Sequence, residues 1–207
     1  MSLQERFLKH CFDIFFAGTV LLLTWPILLI VSIAIKCTSE GSIIFRQKRV
    51  GKRGRSFDLY KFRTMYSVKD SDSTVTVRGD KRITPLGAHL RRWKLDELPQ
   101  FWNVLKGDLS VVGPRPDVPG YADKLKGDDR IILTIRPGVT GPATLRYRNE
   151  EEILAQQPDP ERYNDEVIFP DKVRINREYI QNYHFAKDIK YIIQTALGLD
   201  TQITQMK

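Results

Sequence analysis

Residues 14–35 read IFFAGTVLLLTWPILLIVSIAI, a stretch without a charged side chain. As a straight helix it is about 33 Å long at about 1.5 Å per residue, enough to cross the hydrocarbon of a bilayer. It exceeds the apolar core of a signal peptide, and no small-x-small cleavage pattern follows, so a removable leader is not expected. Two features argue against a simple crossing. Pro26 lies near the middle, just after Thr24 and Trp25. A proline removes an amide donor and crowds the preceding turn, so a break is expected there. Each half then has the length of a re-entrant segment, about 11 to 12 residues. Both flanks are also basic, with Arg6, Lys9 and His10 before the run and Lys36, Arg46, Lys48 and Arg49 after it. Cationic flanks mark the cytoplasmic side, and two of them favour a helix-break-helix that enters and leaves by one face. The expected organisation is a membrane segment over residues 1–38 and a cytoplasmic domain over 39–207. Asp13, inside the apolar edge, is expected at the membrane interface or paired with a nearby cation such as Lys9.

The remainder is a basic globular sequence. A net charge of +8 over 207 residues favours polyanions, whether nucleic acid, anionic lipid headgroups or phosphorylated substrates. Cys11 and Cys37 are too few for a disulfide framework or zinc site and suit a reducing cytoplasm. His10, His89 and His184 are scattered without metal-ligand spacing, and no Gly-rich phosphate loop or Ser/His/Asp set is present.

Periodicity gives a mixed, helix-rich α/β fold. Residues 42–45 and 57–63 read as strands around a basic turn with Gly51 and Gly54, hence a β-hairpin. Its cations and aromatics suit nucleic acid, or phosphates beside a membrane, or no more than a solvated loop. Residues 67–80 read as a polar, flexible loop. An amphipathic helix over 86–94 carries Leu86, Leu90 and Trp93 on one stripe, with Arg91 and Arg92 beside it. A second runs through Phe101, Trp102, Val104 and Leu105 and ends at Gly107. Both suit the membrane interface as well as a core. In Val112-Gly113-Pro114-Arg115-Pro116, two prolines stiffen the backbone around one arginine, a way to fix a phosphate-binding fork. Residues 131–135 read as a strand before the Arg136-Pro137-Gly138 turn. Residues 150–156 and 170–183 read as polar helices, and 185–197 as an amphipathic helix ending at Gly198.

The chemistry centres on Leu95-Asp96-Glu97-Leu98-Pro99-Gln100. Aspartate is a preferred N-cap and proline is tolerated in a first turn, so Asp96 is expected to open the second helix. Free amides and the dipole there would depress its pKa, and the same amides could donate to a phosphate oxygen. An ionised carboxylate so placed, with Arg91, Arg92 and Lys94 upstream, serves as a magnesium ligand or as a nucleophile towards phosphorus. A plain helix cap with a first-turn acid has the same spacing.

The ordered set of motifs resembles the bacterial sugar transferases, small polyprenyl-phosphate phosphoglycosyl transferases with a re-entrant membrane helix. It comprises Phe7-Leu8-Lys9 to Asp13-Ile14, Phe45-Arg46-Gln47 with Val50-Gly51, and Tyr60-Lys61-Phe62-Arg63-Thr64-Met65. It continues with the Asp96-Glu97 segment, Asn103-Val104-Leu105-Lys106-Gly107-Asp108, the Pro114-Arg115-Pro116 segment and Arg136-Pro137-Gly138-Val139-Thr140-Gly141. The resemblance implies a covalent two-step exchange in the catalytic domain 39–207. Asp96 attacks the β-phosphate of a UDP-sugar and releases UMP, and polyprenyl phosphate then takes the phosphosugar. It further implies Mg2+ at Asp96, with Glu97 supporting the metal or the acceptor, and Arg91, Arg115 and Arg148 on the diphosphate or nucleotide. Lys61 and Arg63 are further candidates there, Lys9 is the candidate for the lipid phosphate, and Asp188 is expected to hold part of the site. Implied partners are UDP-sugar, polyprenyl phosphate and bacterial membrane lipid at the cytoplasmic face of the inner membrane, not nucleic acid. Downstream glycosyltransferases and a second copy of the chain complete the candidates.

Two departures stand out. Trp25-Pro26 replaces the Ser-Pro common at the helix break, and Asn176 stands where relatives often carry an acid. The rival readings are a membrane-anchored basic protein that binds nucleic acid or anionic lipid, and a regulatory partner with a dead site. Sugar specificity is expected in 67–80 and 145–171.

Overall fold

The computed structural model describes residues 1–66 and 80–199. The expected flexible loop over 67–80 lies almost wholly outside the described residues. The rest is a mixed, helix-rich α/β arrangement.

Helix α1, Leu3–Thr38, opens with a capping box: Ser2 Oγ accepts from the Glu5 amide at 3.2 Å and Glu5 Oε2 accepts from the Ser2 amide at 2.7 Å. It is one helix rather than the two expected, running through Pro26 without a break in its assignment. The proline forfeits one intrahelical bond, which a helix of about ten turns can absorb. This helix is long and apolar enough to cross a membrane. Its buried residues are Lys9, Asp13, Ala17, Val31 and Ile35, while Phe15, Leu22, Leu23 and Ile30 are largely exposed.

Strands β1, Ile44–Val50, and β2, Ser56–Phe62, form the expected antiparallel hairpin, pairing Ile44 with Phe62 and Val50 with Ser56. Strand β1 runs further than expected, so Arg46 and Lys48 lie on the strand. Helix α2, Pro85–Arg92, is capped by Thr84, whose Oγ1 accepts from the Gly87 amide at 2.9 Å. Gly87 leaves no room for a side chain, because a Cβ there would sit 2.1 Å from the Thr64 carbonyl oxygen. Helix α3, Gln100–Lys106, ends at Gly107 in the left-handed region, φ 83°, as expected. Its Asn103 accepts from the Tyr60 amide at 3.0 Å and donates to the Asp58 carbonyl at 2.7 Å. One amide side chain thus pairs one donor and one acceptor of β2.

Strand β3, Ser110–Val112, pairs in parallel with β4, Gly138–Thr140. The strand expected over 131–135 is instead part of a 3-10 stretch, Gly127–Thr134. Adjacent Ile132 and Leu133 are both buried, which a helical turn permits and a half-buried strand does not. Helices α4 (Pro142–Arg146), α5 (Glu150–Ala155), α6 (Pro160–Tyr163), α7 (Phe169–Gln181) and α8 (Phe185–Leu197) complete the fold, and α8 stops at Gly198 as expected.

Two apolar clusters hold α1 to this body. Ala17 packs with Val104, Leu109, Val112 and Tyr179, and further along Val31 and Ile35 pack with Phe62 and Leu90.

Candidate active site

Three elements converge. Strand β2 delivers Lys61, the turn after β3 delivers Arg115, and a 3-10 turn, Leu95–Glu97, delivers the acid pair. Lys94 enters the left-handed region, φ 56°, immediately before that turn. Asp96 is not the N-cap it was expected to be; Pro99 occupies that position of α3. The reason lies in the backbone. The Glu97 and Leu98 amides already donate to the Lys94 and Leu95 carbonyls at 3.2 and 3.3 Å, and Pro99 has no amide to offer. Nothing is left for Asp96 to cap.

The two acids are treated oppositely. Glu97 Oε1 accepts from Lys61 Nζ and from Arg115 Nη2, each at 2.9 Å. Burial opposes its charge, but Lys61 and Arg115 outweigh burial and hold it well below the usual carboxylate range. Asp96 is buried, and Oδ1 has no hydrogen-bond partner. Burial pushes its carboxyl up; Lys61 pulls it back, Glu97 raises it further, and Arg91 and Lys94 oppose the rise. The depression expected from a helix terminus is therefore reversed, because the cap that would supply it does not form.

The other sequence-expected residues divide. Arg91 faces Asp96 electrostatically and is paired with Glu151 of α5. Arg63 lies at the junction after α1, where Nη2 donates to the Ser39 carbonyl and hydroxyl at 2.8 Å each. Arg148 places its guanidinium against Gly198 at the end of α8, where a Cβ on that glycine would come within 3.1 Å of Nη2. Cations favour that end of a helix dipole.

Lys9 and Asp188 come together, though not beside Asp96. Lys9 Nζ meets Asp188 Oδ2 at 2.5 Å in a buried pair, and Tyr179 and Tyr183 donate to the two Asp188 oxygens at 2.6 and 3.1 Å. Asp13 does find a cation, but through an ion pair with Arg136 rather than with Lys9. It accepts from Ser110 Oγ and the Val111 amide at 3.0 Å each, with Arg136 at 3.7 Å. Asn176 is buried with Oδ1 lacking a partner.

The sequence profile of the bacterial sugar transferases matches residues 4–201. The chain belongs to the bacterial sugar transferase family. It is 36% identical over 201 residues to UDP-glucose:undecaprenyl-phosphate glucose-1-phosphate transferase of Escherichia coli (strain K12), covering 94% of this chain and 40% of the relative. It is 30% identical over 203 residues to exopolysaccharide production protein ExoY of Rhizobium meliloti (strain 1021), covering 90% and 83%. UDP-N-acetylgalactosamine-undecaprenyl-phosphate N-acetylgalactosaminephosphotransferase of Aeromonas hydrophila is 33% identical over 193 residues, covering 91% and 43%. The chain thus spans about two fifths of the E. coli and A. hydrophila relatives and most of ExoY.

The sequence named Asp96, Glu97, Lys61, Arg91 and Arg115, which the structure groups together, but not the contacts that organise them. Asn103, read only as part of a family motif, gives no sign in sequence that it ties α3 to β2, and Glu151, which holds Arg91, carries no local signal because that partner is 60 positions away. Among the described residues no group of three or more His, Cys, Asp and Glu side chains could hold a metal. A buried Asp96 oxygen without a partner, next to Glu97, fits a magnesium ion that takes further ligands from substrate phosphates.

Proposed function

We propose that this transferase moves a sugar 1-phosphate from a UDP-sugar to polyprenyl phosphate and releases UMP, with Asp96 as nucleophile. The observation that carries the reading is the buried, unpartnered Asp96 oxygen beside a Glu97 whose charge Lys61 and Arg115 neutralise. A carboxylate kept free of hydrogen bonds retains its lone pairs for phosphorus or metal. The relatives' names supply the substrate class: UDP-glucose or UDP-N-acetylgalactosamine as donor and undecaprenyl phosphate as acceptor.

Asp96 attacks the β-phosphorus, the bond from that phosphorus to the bridging oxygen breaks, and UMP leaves with the electron pair. A phosphate oxygen of the lipid then attacks the same phosphorus and displaces Asp96, giving a polyprenyl diphosphate sugar for downstream glycosyltransferases. Arg91 and Arg115 steady the diphosphate, and Lys61 keeps Glu97 ionised and in place. Magnesium held at Asp96 would neutralise the diphosphate and stabilise leaving UMP. Incubation with UDP-glucose or UDP-N-acetylgalactosamine, magnesium and undecaprenyl phosphate should release UMP, and Asp96→Asn should not. A membrane-anchored binding protein would release none and would bind polyanions regardless of Asp96.

The membrane geometry belongs to the same proposal: α1 enters and leaves the cytoplasmic leaflet of the inner membrane. Asp13 and Ile35 both contact the soluble body, yet they are about 33 Å apart along a straight helix, the thickness of the hydrocarbon. A straight crossing would drag that body through lipid. Trp93 and Trp102 of the α2–α3 region are exposed, with Arg92 over the Trp93 ring at 6.0 Å, and suit the headgroup layer. Cys11 and Cys37, both exposed, provide the test. An impermeant thiol reagent should label both from the cytoplasmic side; labelling from opposite sides would overturn the re-entrant placement.

A further inference from the structure

We infer that Arg49 is a positioning residue that aims Arg115 at the Asp96-Glu97 pair by holding the carbonyl of Pro116. The inference rests on the reaction proposed above and concerns a residue that the reaction itself does not use.

Pro114 and Pro116 have no amide protons, so the turn carrying Arg115 leans on its carbonyls for backbone hydrogen bonds. All three flanking carbonyls are held. Pro114 accepts from the Gly138 amide at 2.7 Å, Asp117 accepts from the Val50 amide at 2.8 Å, and Pro116 accepts from Arg49 Nη1 at 3.1 Å. The first two holds are backbone to backbone, and the third comes from a side chain. Arg49 is itself fixed, since Nη2 donates to Gln47 Oε1 at 2.6 Å. A planar guanidinium gripped at one end by Gln47 and gripping Pro116 with the other has little freedom to rotate. Strand β1 therefore acts as a template against which the Arg115 turn is set.

The electrostatics make this arrangement costly, which argues against a passive surface arginine. Burial, with Arg115 beside it, lowers Arg49 to about 10, still cationic at neutral pH; Asp117 and Glu97 offset the penalty. A smaller or apolar residue at position 49 would avoid that cost but would give Pro116 no donor. What Arg49 supplies is a forked handle, and the group it steers is one of the two cations that meet Glu97.

The test uses the full chain in nanodiscs, with the Arg115 guanidinium followed by nitrogen-15 NMR and assigned through Arg115→Lys. UMP release from UDP-glucose and from UDP-N-acetylgalactosamine is measured on the same samples. In wild type the hydrogen bond to Glu97 should make the two Arg115 terminal nitrogens inequivalent. Arg49→Lys keeps the charge but cannot reach Gln47 and Pro116 together, so that inequivalence should be lost. It should also lower kcat/KM about 10-fold, as a small misplacement of a charged group does. That loss should vanish when Arg115 is already lysine. Gln47→Ala should show the same effects at about threefold, and answers for Arg49 where Arg49→Lys fails to fold. Lys48→Ala, on the same strand but in an exposed pair with Asp58, should change nothing. Unchanged Arg115 signals in Arg49→Lys, or independent losses in the double variant, would overturn the inference. Absence of UMP release by wild type would sink the proposed reaction, while the Arg115 signals would still decide the role of Arg49.

Discussion

Two of the buried acid-cation clusters in the described residues, at Asp188 and at Asp96-Glu97, differ in how far their hydrogen bonds are completed. At the base of α1, Asp188 receives Lys9, Tyr179 and Tyr183, so both of its oxygens are engaged. At the turn after α2, Glu97 is held through Oε1 by Lys61 and Arg115, but its neighbour Asp96 buries an oxygen without a hydrogen-bond partner. A buried polar group without a partner weakens the fold, whereas a completed network anchors it. The first cluster reads as a rivet between the membrane helix and the body, the second as a site left open for a ligand. Both acids were expected at one site from the sequence; their surroundings assign them different work.

The largest expected difference is in activity. Asp96→Asn should reduce UMP release at least about 10³-fold, since the nucleophile itself is lost. Its melting temperature should hold or rise, because a buried carboxylate without a hydrogen bond is removed. Wild-type activity should fall on the acid side as pH drops through the raised pKa of Asp96. Glu97, held well below the usual range, stays ionised there and does not contribute to that limb.

The rivet should show the reverse pattern. Lys9→Met leaves Asp188 charged and buried without its cation, at a cost of about 3 kcal/mol. For a chain of this size that corresponds to a fall of about 10 °C in melting temperature. Turnover per folded molecule should survive. If Lys9→Met instead abolishes turnover at unchanged stability, Lys9 acts on substrate and the two clusters are not distinct.

What the sequence made legible follows the range of the interactions. The hairpin and the glycine stops at Gly107 and Gly198 rest on local patterning and come out as read, as does the long apolar helix α1 apart from its expected break at Pro26. The parallel pairing of Ser110–Val112 with Gly138–Thr140 and the Lys9-Asp188 pair join distant segments, and neither has a local signature. Ile131 to Ile135 failed because a short apolar run looks the same in a strand and in a helical turn. Asp96 was legible as chemistry but not as geometry. Its cap was ruled out by backbone bonds at Glu97 and Leu98 that residue preference does not report.

Smaller effects refine the boundary of the open site. Burial pushes the Asp117 carboxyl up to about 6 from an ordinary 3.8, against the pull of Lys172, Arg49 and Arg115. A raised carboxyl favours folding when protonated, so that contribution is present below about 3.8 and lost as pH rises through about 6. Asp117→Asn should therefore raise the melting temperature at pH 7.5, and the gain should shrink towards pH 4. Glu151→Gln, which frees Arg91 from a partly exposed pair, should shift the melting temperature by less than about 2 °C.

The most direct test is the mass of the protein after incubation with UDP-glucose or UDP-N-acetylgalactosamine and magnesium without lipid acceptor. Wild type and Lys9→Met should each release about one UMP per chain and gain one phosphosugar on the peptide containing Asp96, and Asp96→Asn should gain none. A phosphosugar on Asp96→Asn, or UMP release by wild type without any mass gain, would contradict the account.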